Sequence, residues 1–520
     1  MGVTPAPVNA WFLAWIALTP LWILLVGRST FNAEREPPTF ALFSFDCFLG
    51  FIWGVGYHGL ALSWIRDLHP LMWLGVPWLA SVAITFFAWA FITFWGASFV
   101  TLWVWLFRLF CYSPKFVKSR LPVWLRVLIG TALWCGLQAL WNYGPLDWTT
   151  LSFTQSPGNL LILHLGRISG PVMVTGAIVA FNGLLAEAWL QFNIEKARLK
   201  ARHILTFSLT FLLGLHLVGF GLYNQSLKES PDTALNIGII QGNIPTRTKH
   251  SDEGIQRAFR HYVQGYRTLA SQGVDAVLTS EGAFPWVWLE TPQRDRHPFY
   301  QEVLQQQVPV WLGTPGVKPS GIAQTLFTLN GTGEILSRYD KIKLVPLGEY
   351  IPFQSVLGKV INRLSPVSAS MVPGDSNQQV DTPFGRAIVG ICFDSAFPWI
   401  FRSQAAAGGA FILTASNNDP YNTSMMAQHH AQDVMRTIET DRWAARATNT
   451  GYSAIVDPHG KTHWISDNNT YELHADTIYR RQTQTLYVRW GDWFTPVLLG
   501  VAFVSWGIAR KEGRSRPLNY

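Results

Sequence analysis

Arg386-Ala-Ile-Val-Gly-Ile-Cys392-Phe-Asp394 is a short apolar run that stops on a thiol and then a carboxylate. Runs of this length, rich in Ile and Val and bounded by turn residues, have the pattern of a buried strand. Two more polar residues stand where strand-like runs end. Glu281 follows Ala276-Val-Leu-Thr-Ser280, and Lys341 lies in Arg338-Tyr-Asp-Lys-Ile-Lys-Leu-Val-Pro346. Around them apolar and polar residues alternate between frequent Gly, Pro, Asn and Asp, with further strand-like runs at 235–240, 308–312, 326–329 and 411–414. Residues 425–446 have the length and periodicity of a helix, and Asp457-Pro-His-Gly460 reads as a hairpin turn before a strand at 461–465. A globular α/β domain over 224–489 is expected, without internal repeat or low-complexity tract.

The flanks are of another kind. The 520 residues are 49% hydrophobic and only 14% charged, too apolar for an ordinary soluble enzyme of that length. A bilayer core of about 30 Å needs about 20 apolar residues in a helix. Segments near 11–27, 41–64, 75–106, 123–142, 168–190, 204–223 and 491–509 meet that need. No charged residue occurs from 71 to 107, room for one tilted span or two short ones. So many uncharged runs exclude a soluble helical core. The net charge of +8 does not indicate nucleic acid, because the basic residues lie in short loops between apolar runs. The 25 Trp residues suit a membrane boundary.

Basic loops stay in the cytoplasm during insertion. Arg108, Lys115, Lys118 and Arg120 fall in one loop, Lys196, Arg198, Lys200 and Arg202 in another, and Arg510, Lys511, Arg514 and Arg516 in the tail. All three fall on one side, so 65–74, 143–167 and the polar domain fall on the other, with Met1. Three parts are expected: a transmembrane helical region over 1–223 with about six spans, an extracytoplasmic domain over 224–489, and a final span with a basic cytoplasmic tail over 490–520. The first apolar run is followed by Arg28, not by a small-residue cleavage site, so no signal peptide is read there. Asp46 and His58 fall within an expected span, where polar groups often mark function, although Asp46 is near the cytoplasmic end.

Glu281, Lys341 and Cys392 make a coherent chemical set. A thiol is a weak nucleophile until deprotonated; a carboxylate can take its proton, and an ammonium lowers the thiol pKa and stabilises an oxyanion. Spacing alone leaves open that they are unrelated surface charges and a core cysteine. Cys47, Cys111 and Cys135 lie in or beside apolar segments as small hydrophobes, which leaves Cys392 as the only cysteine of the polar domain. His429 and His430 share an expected helix with Gln428, but neighbours on a helix do not share a face, and no metal site is expected. Phe284-Pro-Trp286-Val-Trp288 and Phe397-Pro-Trp399 put aromatics near Glu281 and Cys392, either as a lid over a pocket or as plain packing.

Ser280-Glu-Gly-Ala-Phe-Pro-Trp286, Tyr339-Asp-Lys-Ile-Lys-Leu-Val-Pro-Leu-Gly-Glu-Tyr-Ile-Pro352 and Gly390-Ile-Cys-Phe-Asp394 resemble the three motif regions of the nitrilase superfamily. With Gln241-Gly-Asn-Ile-Pro245, Arg446-Ala-Thr-Asn-Thr-Gly451 and the polytopic frame, nearly the whole chain is similar to the apolipoprotein N-acyltransferase family. The resemblance implies an α-β-β-α sandwich of nitrilase type beside a polytopic helical membrane bundle. It implies Cys392 as nucleophile, Glu281 as general base and acid, Lys341 as oxyanion stabiliser, and Glu349 as a residue that orients Lys341 or holds the active-site loops. It further implies a phospholipid acyl donor, a diacylglyceryl apolipoprotein acceptor and surrounding membrane lipid, no metal or diffusible cofactor, and no nucleic acid. The location implied is the bacterial inner membrane, with the catalytic domain in the periplasm.

Lys343 competes with Lys341, since two residues along a strand it shares its face. Phe393 and Asp394 stand where the family often has Tyr-Glu, His250 where a tryptophan often stands, and Asn417-Asn-Asp-Pro-Tyr421 where Asn-Asp-x-Trp-Phe is common. His250, Trp286, Trp288 and Trp399 are therefore the candidate lid or substrate contacts. The family's usual first span is expected to be missing before Met1. Three rival readings are weighed: a membrane-anchored nitrilase or amidase that uses the same three residues on small carbon–nitrogen compounds with water as acceptor, a transporter with a sensing domain, which would need paired ionisable residues or broken helices within the spans, and a binding module on an inactive nitrilase fold.

Overall fold

An apolar segment in lipid must satisfy its backbone polar groups internally, which a helix does. The computed structural model describes residues 1–31, 40–72, 75–112, 121–194, 197–346, 348–350, 371–419 and 421–515. Lys115, Lys118, Arg120, Lys196, Ile351, Pro352, Pro420 and Arg516 lie outside the described residues. The apolar runs form α1 (Thr19–Phe31), α2 (Phe40–Ala61), α3 (Trp78–Tyr112), α4 (Val123–Trp141), α5 (Pro171–Phe192), α6 (Arg198–Tyr223) and, at the far end, a helix over Phe494–Ser515. Among the described residues five stretches are long and apolar enough to cross a membrane: Trp11–Arg28, Trp78–Tyr112, Val123–Trp141, Pro171–Phe192 and Arg198–Tyr223. The uncharged stretch from 71 onward thus contains one 35-residue helix, not two short ones. At about 1.5 Å per residue it is roughly 50 Å long, well beyond the hydrocarbon thickness.

The chain divides into two compact units, Met1–Ile65 with Phe86–Gln225 and Trp490–Tyr520, and Arg66–Thr85 with Ser226–Arg489. In the helical unit, glycines make room for indoles. A side chain at Gly130 or Gly183 would run into the Trp22 ring, which is fully buried and meets Trp103 and Phe107 at 5.7 and 4.9 Å. Along α6, Phe207, Leu209, Leu213, Leu217 and Phe220 are exposed, a face that water would not tolerate and lipid would.

Several buried polar residues inside this unit are paired. Asn182 is fully buried; its Oδ1 accepts from the Leu18 and Thr19 N–H groups at 2.9 and 3.0 Å, and its Nδ2 donates to the Ala14 and Ile178 carbonyls. It thereby satisfies N–H groups that the start of α1 leaves open. Asp46 binds Arg108 at 2.9 Å and Arg28 at 3.6 Å. Arg126 grips Glu187 with two parallel bonds, Nε to Oε1 at 2.7 Å and Nη2 to Oε2.

The second unit is an α-β-β-α sandwich. One six-stranded sheet has the order β12-β1-β2-β3-β4-β5 and the other β11-β10-β9-β8-β7-β6. The strands are β1 (Ala234–Gln241), β2 (Ala276–Thr279), β3 (Val310–Lys318), β4 (Gly321–Leu329), β5 (Ile335–Asp340), β6 (Val380–Thr382), β7 (Gly385–Ile391), β8 (Phe411–Ser416), β9 (Ala444–Thr448), β10 (Ala454–Val456), β11 (Thr462–Ile465) and β12 (Glu472–Tyr479). The cores β1-β2-β3 and β7-β8-β9 are parallel and the flanks antiparallel. Side chains alternate across each strand. Leu235, Ile237 and Ile239 meet Val389, Ile391 and Leu413 between the sheets, while Ile240, Val277 and Leu312 turn outward to α7 (Asp252–Ser271) and α8 (Pro298–Gln306). The other sheet is covered by α9 (Pro398–Ala406) and α10 (Thr423–Thr440).

The helix expected over 425–446 ends at Thr440, because Asp441 takes the left-handed conformation at φ 58° and the next residues form β9. Parallel pairing with β8 outweighs the helical propensity of the Ala-Ala-Arg-Ala run. The fold class read from the sequence is borne out, in both the helical half and the two-sheet half.

Buried ion pairs are costly when one partner is lost. Glu187→Ala is expected to destabilise the protein by about 3–5 kcal/mol, read as a lower thermal midpoint in detergent. The double variant Arg126→Met/Glu187→Leu should recover most of it.

Candidate active site

β7 ends at Ile391, and Cys392 takes the left-handed conformation at φ 50° before the turn Cys392–Ala396. A non-glycine residue there costs of order 1–3 kcal/mol, so its neighbours must hold it. Two side chains do so. Asp394 accepts from the Ile391 N–H at 3.1 Å, the Tyr339 hydroxyl at 3.0 Å and the Lys343 N–H at 2.8 Å, which ties the turn to the segment after β5. Burial pushes its carboxyl up to about 6, against the pull of those donors.

His429 of α10 is the second. Its Nδ1 faces the Asn418 Nδ2 donor at 2.9 Å, which puts the proton on Nε2, 2.9 Å from the Cys392 carbonyl. Burial lowers the imidazole pKa to about 3, so it is neutral. Asn418 Oδ1 in turn accepts from Arg446 at 3.3 Å, and Arg446 pairs with Asp433. A chain of buried polar groups thus runs from β9 through α10 to the cysteine backbone.

Lys341 follows β5, with its N–H donating to the Gln324 carbonyl and its own carbonyl accepting from Gly374 N–H, each at 2.8 Å. Its ammonium is shared between Glu281 Oε1 at 3.0 Å and Glu349 Oε1 at 2.8 Å, and its side chain is 1% exposed. Glu281 follows β2; its Oε2 accepts from the Asn417 N–H at 2.9 Å, and the second oxygen of Glu349 accepts from Val345 N–H at 2.8 Å. Any side chain at Gly313 would overlap the Ser280 carbonyl oxygen, so this glycine lets β3 lie close behind the Glu281 bend. Burial works against the lysine charge, but the two carboxylates outweigh it and hold the ammonium well above its usual range. Burial pushes the Glu349 carboxyl up against the pull of Lys341.

Cys392 feels the charges of Lys341, Glu281 and Glu349, so residues from three distant segments form one electrostatic cluster. Burial pushes its thiol up to about 12 despite the Lys341 cation. Lys343 lies beyond the end of β5, so strand alternation does not apply to it. Its ammonium sits 4.4 Å from the Phe397 ring centre and 5.9 Å from that of Trp399. Phe393 is buried edge-on against Phe397 at 5.1 Å.

Trp288 is a core residue, 5% exposed and stacked on His297 with ring centres 3.5 Å apart. Trp286 is half-buried against Phe259 and Phe284, Trp399 is half-buried, and His250 is exposed. Sequence reasoning did not single out Tyr339, Asn418, Lys249 or the backbone-holding role of His429. The Asn417-Asn418 pair was visible only as a departure from a family pattern.

A two-sheet sandwich with a thiol, a carboxylate and a shared lysine at its strand ends, joined to apolar helices, defines a membrane-linked enzyme of carbon–nitrogen hydrolase type. The carbon–nitrogen hydrolase profile matches residues 299–484, and that of the apolipoprotein N-acyltransferase N-terminal domain matches 1–184. The chain is 55% identical to the apolipoprotein N-acyltransferase of Nostoc sp., over 98% of this chain and 97% of that one. It is 46% identical to that of Synechocystis sp., over 97% and 98%. The yeast nitrilase-superfamily protein Nit3 superposes with a TM-score of 0.38 at 15% identity, over 50% of this chain and 94% of its own. The chain belongs to the apolipoprotein N-acyltransferase family, and it is an acyl-transfer enzyme.

A thiol held up near 12 is mostly protonated at neutral pH. Alkylation of Cys392 by iodoacetamide, followed by peptide mass spectrometry, should accelerate about tenfold per pH unit between about pH 7 and 9. A plateau in that window would mean a resting thiolate.

Proposed function

We propose that the chain moves an acyl group from a phospholipid to the N-terminal amine of a diacylglyceryl-cysteine lipoprotein through a thioester on Cys392. The observation that carries this reading is the ammonium of Lys341, shared between Glu281 and Glu349 in the cluster that includes the thiol. In the first half-reaction Cys392 Sγ attacks the ester carbonyl while Glu281 takes the thiol proton. Because the resting thiol is protonated, transfer to Glu281 accompanies the attack. Lys341 stabilises the tetrahedral oxyanion. Collapse breaks the ester C–O bond, Glu281 returns its proton to the departing oxygen, and a lysophospholipid leaves.

In the second half-reaction the acceptor amine attacks the thioester and Glu281 takes its proton. The C–S bond breaks, Glu281 returns the proton to the departing sulfur to restore the thiol, and an amide forms. Exchange of a thioester for an amide runs downhill, so no nucleotide is needed, and ping-pong kinetics follow. Glu349 is the second carboxylate that holds Lys341, and Asp394 and His429 hold the Cys392 backbone.

The apolar helices support a multi-pass enzyme of the bacterial inner membrane. The basic residues Arg198, Lys200 and Arg202 before α6, and Arg510 and Lys511 at the end of the last helix, favour a cytoplasmic side for those ends and a periplasmic catalytic domain. Lipoprotein acceptors and phospholipid donors would both be available there.

Purified protein incubated with phospholipid should carry an acyl adduct on the Cys392 peptide, removable by hydroxylamine, and Cys392→Ser should carry none. A diacylated lipopeptide should then discharge the adduct and become triacylated. Retained transfer in Cys392→Ser would overturn the covalent route, and free fatty acid as the main product would favour hydrolysis by a membrane-anchored amidase.

A further inference from the structure

Lys249 lies in the turn between β1 and α7, 7% exposed, and its ammonium reaches the bend that carries Glu281. Its Nζ stands 3.2 Å from the point where a side chain on Gly282 would begin, and Gln324 Oε1 stands 3.9 Å from that same point. Gly282 has φ 57°, so glycine there serves both the backbone turn and the space the lysine fills. Gln324 Oε1 is buried without a hydrogen-bond partner. Among the described residues Lys249 Nζ itself has no hydrogen bond and no ion pair within 4.0 Å. A buried cation left so open is expensive unless charges nearby require it.

Those charges are on the page. The carboxylates that face Lys249 are Glu281, from the loop after β2, and Asp419, from the loop after β8; the titratable neighbour in its own turn is His250. Asp419 already accepts from Thr246 N–H at 2.7 Å. The cluster around Cys392 holds two carboxylates, Glu281 and Glu349, and one ammonium, Lys341. Counted with Asp419 these sum to two negative charges, which oppose both a thiolate and an oxyanion.

We infer that Lys249 is a positioning residue for this reaction: a second buried cation, set beside the Glu281 bend, that offsets part of the negative charge of the Glu281–Lys341–Glu349 cluster against which the thiol must react. The inference rests on the proposed role of Glu281 as base. It acts through the charge of that cluster and needs no contact with either substrate. Burial lowers the Lys249 ammonium to about 8, against the pull of Glu281 and Asp419, so the balancing charge is present at neutral pH and fades in alkali.

The signs follow. Removing the charge leaves the cluster more negative, which opposes the anions that form on the sulfur and on the tetrahedral oxygen, so Cys392 acylation slows. Keeping a charge that does not titrate preserves activity beyond the point where the lysine loses its proton. The test is single-turnover acylation of Cys392 by phospholipid in the full-length protein, read by mass spectrometry across pH for wild type, Lys249→Met and Lys249→Arg. Lys249→Met should slow acylation about tenfold or more at neutral pH. Lys249→Arg should keep the wild-type rate there and extend the alkaline limb above about pH 8–9, as guanidinium stays charged. If wild type acylates but both variants lose rate equally at every pH, the lysine is merely structural and the inference fails while the proposed function stands. If wild type forms no adduct, the reading and the inference fall together. Should Lys249→Met not fold, the alkaline limb of Lys249→Arg decides alone, and an unshifted limb overturns the inference.

Discussion

A single buried ammonium, that of Lys341, bridges two carboxylates, and the surrounding fold is arranged to make that bridge affordable. An ion taken out of water needs several partners in good geometry, and Lys341 has Glu281 on one side and Glu349 on the other. Each carboxylate spends its second oxygen on a backbone N–H, from Asn417 and Val345. The lysine backbone is fixed in turn by Gln324 and Gly374. Moving any of these segments would strand a charge in a dry site, so the loops after β2, β5 and β8 are locked to one another.

The topology explains why these loops meet. Glu281, Cys392 and Asn417 follow β2, β7 and β8, each a member of a parallel core. In open α/β sheets, chemistry gathers beyond the carboxyl ends of parallel strands, where loops from neighbouring strands leave in one direction. Two such cores packed face to face place one set of loops opposite the other. The thiol comes from one sheet, and the carboxylate and lysine from the other. Cys392 can then be held in a strained conformation because both the Asp394 clamp and the His429 hydrogen bond oppose its relaxation.

How much of this the sequence disclosed depended on how local the signal was. The strands β2 and β8 are fully buried and β1 and β7 mostly so, and all four were legible as apolar runs, whereas β12, half-buried along nearly its whole length, lacks a clean alternation. β3 runs on through Pro315, a residue that argues against a strand when read alone. Residues 444–448 look helical until β8 pairs with them. Within the site, Glu281, Lys341 and Cys392 were visible through strand ends and family motifs. The roles of Tyr339, Asn418, His429 and Lys249 were not, since each acts by a contact across 11 to 55 residues that no spacing encodes. The apolar helices were the easiest part, because lipid leaves a backbone few alternatives to a helix.

The two residues after the nucleophile were the sharpest departure from the resembled family, and their surroundings explain why the departure is tolerable. A shorter carboxylate at 394 reaches fewer distant groups, but Asp394 has no need of reach: it sits inside a tight turn, and its donors are the Ile391 and Lys343 N–H groups and the Tyr339 hydroxyl. A phenol therefore does hydrogen-bond this carboxylate, only it arrives from β5 instead of from position 393. Phe393 is then free to be apolar, and it packs edge-on against Phe397, whose ring also lies beneath the Lys343 ammonium. That contact draws Lys343 toward the aromatic pair and leaves the carboxylates to Lys341. The substitution at 393 and the separation of the two lysines thus belong to one packing solution.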